Sequence, residues 1–443
     1  MITLLSIIFV LGYLLITLEH PLRLHKTVSA LLTATLCWVV YAVTNPDRYL
    51  VSEQLIEHFA GAAAIAVFLI GAMTIVEIID AHGGFSIVTD RVGTRNQRKM
   101  LWLIGGITFF LSPVLDNLTT TIVMVSLTRK LIKKHKDRLF FIGIIVIAAN
   151  AGGAWSPLGD VTTTMLWIGG QISALEIVKE VFLASAVNLL IPLVVVSIWI
   201  RNEAQGKKHD LTGRGETMGV SRDTMTDTTP SPHPVSHFEQ RLVFGVGVGA
   251  LLFVPVFKTI TDLPPWMGML FGLSILWGIT EILHRKKMGD KAGQLGVAQA
   301  LRRIDTPSIL FFIGILLAVG SLQAIGLLGI IAGWLDKEVG NLPIIVLVLG
   351  LLSAIVDNVP LVAACMGMYN LTVYPMDYFF WQFSAYCAGT GGSILVIGSA
   401  AGVAAMGIEK ITFGWYLKKI APLALVGYLV GAGVYVLQRF ILS

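Results

Sequence analysis

The sequence predicts an all-α polytopic membrane protein with two inverted-topology repeats, each holding a re-entrant helical hairpin and a broken transmembrane helix, or about ten full spans plus two hairpins. Composition indicates the membrane, because 55% of the 443 residues are hydrophobic and 13% are charged, whereas soluble domains carry about 25% charged residues. A duplicated motif indicates the two halves: Ser112-Pro-Val-Leu-Asp-Asn117 recurs as Ser353-Ala-Ile-Val-Asp-Asn358. In both copies a carboxylate and an amide interrupt an apolar segment.

Charge and cysteine usage exclude several other classes. The formal net charge of +5 does not indicate a nucleic-acid partner, because most Lys and Arg residues cluster in a few loops, where they orient membrane helices. The three cysteines, Cys37, Cys365 and Cys387, lie in apolar segments without metal-ligand spacing, so neither a disulfide framework nor a zinc site is expected. No cofactor is predicted.

The first repeat is predicted over residues 1–200. Its full spans cover residues 2–18, 27–43, 59–79, 139–168 and 178–200. The first span lacks a basic n-region and a cleavage site, so it is interpreted as a helix and not as a signal peptide. A hairpin over about 100–131 has Asp116-Asn117 at its turn and basic residues on both flanks, which predicts a segment that enters and leaves on one side.

A hydrophilic linker is predicted over residues 201–238, and the second repeat over residues 239–443. Its full spans cover residues 242–257, 266–283, 307–322, 378–405 and 420–437. The second hairpin, about 342–368, has Asp357-Asn358 at its turn. The broken helices are interrupted at residues 150–160 and 388–393, where clustered glycines, and Pro157 in the first, oppose a continuous helix.

The orientation of the two halves follows from span counting and charge. Each half has an odd number of full spans, so the second half is predicted to be inverted relative to the first. Loops rich in Lys and Arg then fall on one side, which the positive-inside rule makes cytoplasmic. The linker is therefore expected in the cytoplasm and both termini outside a cell (inner) membrane.

Both hairpin turns and both helix breaks are expected to meet near the middle of the bilayer, where irregular backbone is tolerated only if it lines a cavity or is buried in protein. The candidate ligands share oxygen or amide chemistry. They are Ser112, Asp116, Asn117, Asn150, Asp160, Thr162, Thr163, Ser353, Asp357, Asn358, Ser393 and Ser399.

The charges of these four segments predict the sign of a ligand. The four segments, which include Asp116, Asp160 and Asp357, contain no Lys, Arg or His. The three carboxylates are therefore expected to bind a cation or take up a proton. Such a site would exchange Na⁺ or Li⁺ against H⁺ by competition, and the first half, with more ligands, would hold the principal site. A purely structural interpretation is that each aspartate only caps the helix that follows it. For Glu77, in the third span, a proton relay, a structural hydrogen bond and a position near the interface are all left open.

These motifs resemble those of NhaD-type sodium/proton antiporters of the ion transporter superfamily. The most specific parts are Ser112-Pro-Val-Leu-Asp-Asn-Leu-Thr-Thr-Thr121, Asn150-Ala-Gly-Gly-Ala-Trp-Ser-Pro-Leu-Gly-Asp-Val-Thr-Thr163, Asp357-Asn-Val-Pro360 and Glu77-Ile-Ile-Asp-Ala-His-Gly-Gly84. The resemblance implies that the hairpin turns and the breaks carry the essential polar residues. It also implies a homodimer in which a transport part moves like an elevator against a scaffold.

The function predicted from the sequence is secondary exchange of Na⁺ and Li⁺ for H⁺, with these ions and the lipid bilayer as partners. The alternative is a Na⁺- or H⁺-coupled symporter of a small organic acid of the dicarboxylate or citrate type. A third interpretation, from another class, is an ion channel or a membrane scaffold that transports nothing. No enzyme is predicted, because the sequence has no phosphate-binding loop, catalytic triad or metal-ligand histidines.

Overall fold

The computed structural model describes residues 1–89, 94, 96–132, 134–211, 235–285, 295–355 and 357–442, and every regular element within these ranges is a helix. The helices of the first half are α1 (Ile2–Thr17), α2 (Glu19–Leu22), α3 (Lys26–Thr44), α4 (Arg48–Ala81), α5 (Ser86–Thr89), α6 (Gln97–Leu115), α7 (Asn117–Leu131), α8 (His135–Ala154), α9 (Val161–Ile168) and α10 (Ala174–Leu211). Those of the second half are α11 (His237–Thr261), α12 (Pro265–His284), α13 (Val297–Arg303), α14 (Thr306–Ala324), α15 (Leu327–Glu338), α16 (Leu342–Leu352), α17 (Asn358–Met368), α18 (Phe379–Gly391), α19 (Ala400–Glu409), α20 (Phe413–Lys419) and α21 (Ala421–Leu442).

Within the described ranges, nine helices are long and apolar enough to cross a membrane, which confirms the predicted all-α polytopic class. Several bounds differ from the prediction. The first hairpin arm, α6, has 19 residues and is itself one of the nine, because its helix extends beyond the short apolar run in both directions. Helix α1, with 16 residues, falls short of that length. Helix α4 begins at Arg48 and not near residue 59, since Asp47 caps it from the polar loop.

The predicted linker is shorter than expected at its start. Helix α10 continues through residue 211, so residues 201–211 extend a membrane helix. The next helix, α11, begins at His237 behind a capping box formed by Ser236 and Glu239. The intervening residues 212–234 lie outside the described part of the chain.

Both helix breaks lie later in the chain than the glycines suggested. Helix α8 continues to Ala154 and α18 to Gly391, so Asn150 and Gly389 are helical and not part of an irregular segment. The reason is packing: a Cβ at Gly152 would overlap the carbonyl oxygen of Phe109, and one at Gly391 would overlap that of Gly350. These glycines let a broken helix touch a hairpin arm instead of ending the helix.

The same contacts occur in both halves. Ser112 Oγ donates to the Ala149 carbonyl at 2.6 Å, joining α6 to α8. Ser353 Oγ donates to the Ala388 carbonyl at 2.9 Å, joining the end of α16 to α18. Each hairpin also packs across to the other half, α7 against α19 and α17 against α9. The hairpin turns and helix breaks are thereby gathered into one region.

The described helices pack as two groups. We call α1, α3, α4, α11, α12 and α14 the outer group, because they pack mainly on one another. We call α6–α10 and α16–α21 the hairpin group, which holds both hairpins and both broken helices with α10 packed along α21. Helix α14 against α17 is the largest packing contact between the two groups.

Candidate functional site

The turn of the first hairpin is a single residue, Asp116, between α6 and α7. Its backbone, at φ 76° and ψ 160°, lies outside the left-handed helical region, in a conformation that is nearly confined to glycine, so the turn is strained. Its carboxylate accepts from Thr119 N at 2.7 Å and from Thr119 Oγ1 at 2.9 Å. Asp116 therefore caps α7, with one oxygen bound to the backbone and the other to a hydroxyl. Asp116 therefore does cap the helix that follows it, as the structural interpretation expected. Both of its oxygens still have lone pairs that could bind a further ligand.

The turn of the second hairpin differs in its electrostatics. Asp357 caps α17 through a long contact from Val359 N, at 3.4 Å. Its Oδ2 lies 2.9 Å from the ammonium of Lys26, at the start of α3. The expectation that this aspartate has no basic partner is therefore wrong. No local pattern indicates the pair, because the two residues are 331 positions apart. Lys26 also lies in a loop whose basic residues predicted only the orientation of the helices in the membrane.

The first helix break buries Asp160. It is 2% exposed, lies in extended backbone before α9, and accepts a 3.4 Å contact from Thr162 N. Asn358, from the second hairpin, donates to it at 3.1 Å through Nδ2. A Cβ at Gly389 would lie 3.2 Å from Asp160 Oδ2, so the missing side chain in α18 leaves the carboxylate room.

A chain of amides and a hydroxyl links three other predicted residues. Asn117 Nδ2 donates to Asn150 Oδ1 at 3.1 Å, and Asn150 Nδ2 donates to Ser399 Oγ at 3.0 Å. The first hairpin, the first broken helix and the second helix break are thus joined through buried side chains. Asn150 occupies its position because α8 continues past it, and its amide is fully buried.

The remaining predicted serines serve helix packing in this structure. Ser112 and Ser353 donate to helix carbonyls as described above, and Ser393 Oγ donates to the Thr390 carbonyl at 2.6 Å. Their hydroxyl protons are used in these bonds. Their oxygens keep lone pairs, so they hold the hairpin arms in place and add acceptor capacity beside the site.

Eight buried hydroxyls have no hydrogen-bond partner among the described residues, and four of them follow the two aspartates in the chain: Thr120, Thr121, Thr162 and Thr163. All four belong to the first turns of α7 and α9, directly after Asp116 and Asp160. Buried polar groups in proteins are nearly always hydrogen-bonded, so a cluster of unpartnered oxygens beside two carboxylates is the environment that a bound cation would complete. Thr121 was not among the residues considered from the sequence, although it ends the threonine run that follows the Asp-Asn motif.

Negative charge dominates this region. Within the described ranges no Lys or Arg pairs with Asp116 or Asp160. Both Asp116 and Asp357 are close enough to Asp160 for their charges to repel it. An empty, fully ionised set of carboxylates is costly in such surroundings, so the arrangement favours binding a cation or a proton.

An open cavity of about 600 Å³ reaches the turn of the second hairpin and the start of α7 from one end of the helices. Its lining includes Lys26 and Asp357, Leu118 of the first hairpin, and Ile397 of the second break. The carboxylates of Glu19 and Asp305 also line it. A small cation in this cavity would therefore meet the carboxylates of Glu19, Asp305 and Asp357.

Two further acidic residues lie outside the site. Glu77 pairs with Arg303 at 3.3 Å, where α4 meets α13, which favours the structural alternatives over the proton relay. Glu409, only 3% exposed, binds Arg138 at 2.8 Å and Arg129 at 3.2 Å. This cluster joins the base of the first hairpin to α19, and the sequence did not reveal it because its members come from opposite halves.

Comparison with known proteins gives one family. The family model described as "Citrate transporter" matches residues 13–382. "Sodium/proton antiporter 1" of Arabidopsis thaliana is 50% identical over 431 residues, covering 97% of this chain and 71% of that protein. "Na(+)/H(+) antiporter NhaD" of Vibrio cholerae is 31% identical over 476 residues, covering 97% of this chain and 90% of that protein. The crystal structure of the Alcanivorax borkumensis YdaH transporter is similar in fold, with a TM-score of 0.59 at 13% identity, covering 94% of this chain and 98% of that one.

Proposed function

The chain belongs to the citrate-transporter family and is an NhaD-type member of the ion transporter superfamily, and on that premise we propose that it exchanges Na⁺ for H⁺ across a membrane. The observation that carries the proposal is Asp160: a carboxylate 2% exposed, without a basic partner among the described residues, beside the unpartnered hydroxyls of Thr162 and Thr163. The names of its relatives, antiporters of sodium and protons, support the same ions.

The site has the chemistry that Na⁺ requires. Hard cations bind oxygen ligands, and Asp160, Asp116 and the threonine hydroxyls supply them. The amide of Asn358 donates a hydrogen bond to Asp160 and so stabilises its negative charge. A cation or proton bound to the carboxylate would supply part of that stabilisation. Because one carboxylate cannot hold a proton and a cation in the same place, binding of Na⁺ releases H⁺. Li⁺, with the same charge and ligand preference, is expected to compete for the site.

Alternating access is proposed to follow the division into two packing groups. The hairpin group carries every predicted site residue, and the outer group touches it mainly through α14 and α17. Movement of the first group against the second would carry the site across the membrane without rebuilding it. A homodimer, in which the outer groups meet, is part of the same proposal. It is supported by the largely exposed apolar faces of α11 and α12, the least buried of the nine candidate spans.

Everted membrane vesicles test the proposed activity directly. A pH-sensitive dye is quenched by respiration-driven acidification, and then NaCl, LiCl, KCl or choline chloride is added. We expect dequenching with Na⁺ and Li⁺ but not with choline, in vesicles that contain the protein and not in vesicles that lack it. Equal signals from both preparations would refute sodium/proton exchange.

The second candidate, transport of an organic acid, is favoured by the family description. The same vesicles distinguish it, because succinate or citrate would then be required for any Na⁺-dependent signal. Uptake of labelled citrate driven by a Na⁺ gradient, without exchange in its absence, would replace the first proposal with this one.

A further inference from the structure

Lys26 occupies a position that is unfavourable for a positive charge. It is the first residue of α3, where the helix dipole presents its positive end. Its ammonium lies 2.9 Å from Asp357 Oδ2 and 4.4 Å from the ring centroid of Phe311. The two paired side chains are 23% and 17% exposed. A lysine held in this way depends on its anionic partner.

The pair joins the two packing groups. Lys26 and Phe311 belong to α3 and α14 of the outer group, whereas Asp357 is the turn of the second hairpin. The next residue, Asn358, donates to Asp160. Only Asn358 therefore separates the ion pair from Asp160, the carboxylate that carries the proposed function. The pair also connects the second hairpin to the outer group, against which the hairpin would move.

Both members of the pair line the open cavity, so a dissolved cation can reach them. The carboxylates of Glu19 and Asp305 line the same cavity, and their charges act on the Lys26 ammonium. If the ammonium leaves Asp357, negative charge is available nearby to receive it. When Lys26 is displaced, its ammonium then moves from Asp357 towards Glu19 and Asp305 and does not remain unpaired.

We propose that the Lys26 ammonium is a resident cation of Asp357, which holds the second hairpin against α3 when no transported cation is bound and is displaced when one arrives. This inference rests on the proposed function and adds a residue that sets cation affinity and releases the hairpin group. No bond is made or broken in the exchange, since one monovalent cation replaces another beside the carboxylate. The empty site would thus stay attached to the outer group, which limits movement without cargo.

Replacing Lys26 by Gln tests the proposal in proteoliposomes that contain the full-length protein. The resident competitor is lost, so the apparent KM for Na⁺ is expected to fall at least about tenfold at constant pH, which is the low end of the coupling measured for close charge pairs. Lys26→Arg retains the charge and should keep the KM near that of the unchanged protein. A merely structural ion pair would instead lower kcat or the amount of folded protein and leave KM unchanged or raised.

Lys179→Gln is the matched control. Lys179 pairs with Glu176 at 2.6 Å on an exposed turn of α10, so the same substitution removes a similar contact away from the site. Its KM for Na⁺ should not change. An equal fall in KM for the Lys26 and Lys179 variants would refute a specific role for Lys26.

A measurement on the unaltered protein decides the question even if Lys26→Gln does not fold. Purified protein is treated with an amine-acetylating reagent in NaCl or in choline chloride, and the modification of each lysine is followed by mass spectrometry. Na⁺ should raise the modification rate of Lys26 severalfold, because the freed ammonium enters the cavity, and leave that of Lys179 unchanged. An equal or lower rate at Lys26 in Na⁺ would overturn the proposal.

The two levels of inference fail separately. Absence of Na⁺-dependent proton flux from the unaltered protein would reject the proposed function, and with it this inference. Normal flux, combined with an unchanged KM in Lys26→Gln and an unchanged labelling rate, would reject only the role of Lys26.

Discussion

At the scale of the residue, one side chain type serves three different environments. Asp116 caps a helix with both of its oxygens bound to Thr119. Asp160 is buried against an amide and unpartnered hydroxyls. Asp357 is paired with a lysine. Because charge is balanced only at Asp357, the first two are the aspartates expected to exchange cations with protons, and the third is expected to regulate access.

Asp160→Asn is expected to reduce Na⁺-dependent proton flux to the background of empty vesicles. The amide keeps the shape of the side chain but can neither hold a proton nor offer a negative charge to Na⁺. Asp262→Asn is a suitable control, since Asp262 ends α11 in a left-handed conformation that Asn tolerates. Flux within twofold of the unaltered protein in Asp160→Asn would remove this residue from the site.

Asp116→Asn separates a functional carboxylate from a helix cap. Asn is as good an N-cap as Asp and has nearly the same shape, so it meets the same backbone strain and the hairpin turn should remain intact. We expect exchange to be lost while the melting temperature in detergent stays within a few degrees of the original. If exchange persists, Asp116 acts only as a cap.

At the scale of the element, close backbone contact positions the site. Gly152 lets α8 touch α6, and Gly391 lets α18 touch the end of α16 at the corresponding place in the other half. These contacts set the depth of Asn150 and the space beside Asp160, which Gly389 leaves open. The Glu409 cluster holds the base of the first hairpin to α19, so the hairpin is anchored at both ends.

Gly152→Ala should destabilise the protein by about 1–3 kcal/mol, because the new methyl group meets a backbone carbonyl that cannot rotate away. Gly106→Ala, on the same hairpin arm that α8 packs against, meets nothing within 4 Å and should be neutral or slightly stabilising. Thermal unfolding in detergent compares the two. Equal melting temperatures would show that the close contact of α6 and α8 is not required.

At the scale of the whole molecule, the number of protons exchanged for each Na⁺ depends on how many carboxylates lack a basic partner. With two such carboxylates, binding of one Na⁺ can release more than one proton. Exchange of more than one H⁺ per Na⁺ would move net charge, and each charge is worth about 2.3 kcal/mol per 100 mV. A membrane potential, negative inside, would then drive Na⁺ out even where the pH gradient is small.

Proteoliposomes with a potassium and valinomycin diffusion potential measure this directly. We expect the rate of Na⁺-dependent proton movement to change severalfold between 0 and about −100 mV. We also expect the apparent KM for Na⁺ to rise by more than about tenfold for each unit of pH decrease in the acidic range, because each Na⁺ must displace more than one proton. A rate independent of voltage would indicate one-for-one exchange, and a KM independent of pH would contradict competition at a shared carboxylate.

The sequence by itself determined the membrane class, the two interrupted hairpins and the polar residues at their turns. Apolar runs, breaks and duplicated motifs are local properties, and the cost of placing polar groups among apolar residues makes them conspicuous. The comparisons bear out the family that those motifs indicated. The inverted orientation of the halves, the side on which the termini lie and the homodimer stay predictions.

Only the tertiary structure decided which of these groups meet. Glycines that were expected to break helices instead allow two helices to touch. A missing Cβ weakens a helix that faces solvent, but it permits close contact where another backbone packs against it. Lys26, an ordinary loop lysine in sequence, pairs with Asp357 because α3 packs on α14 beside the second hairpin. An ion pair between distant residues depends on the positions of whole helices, and a local pattern carries no information about those positions.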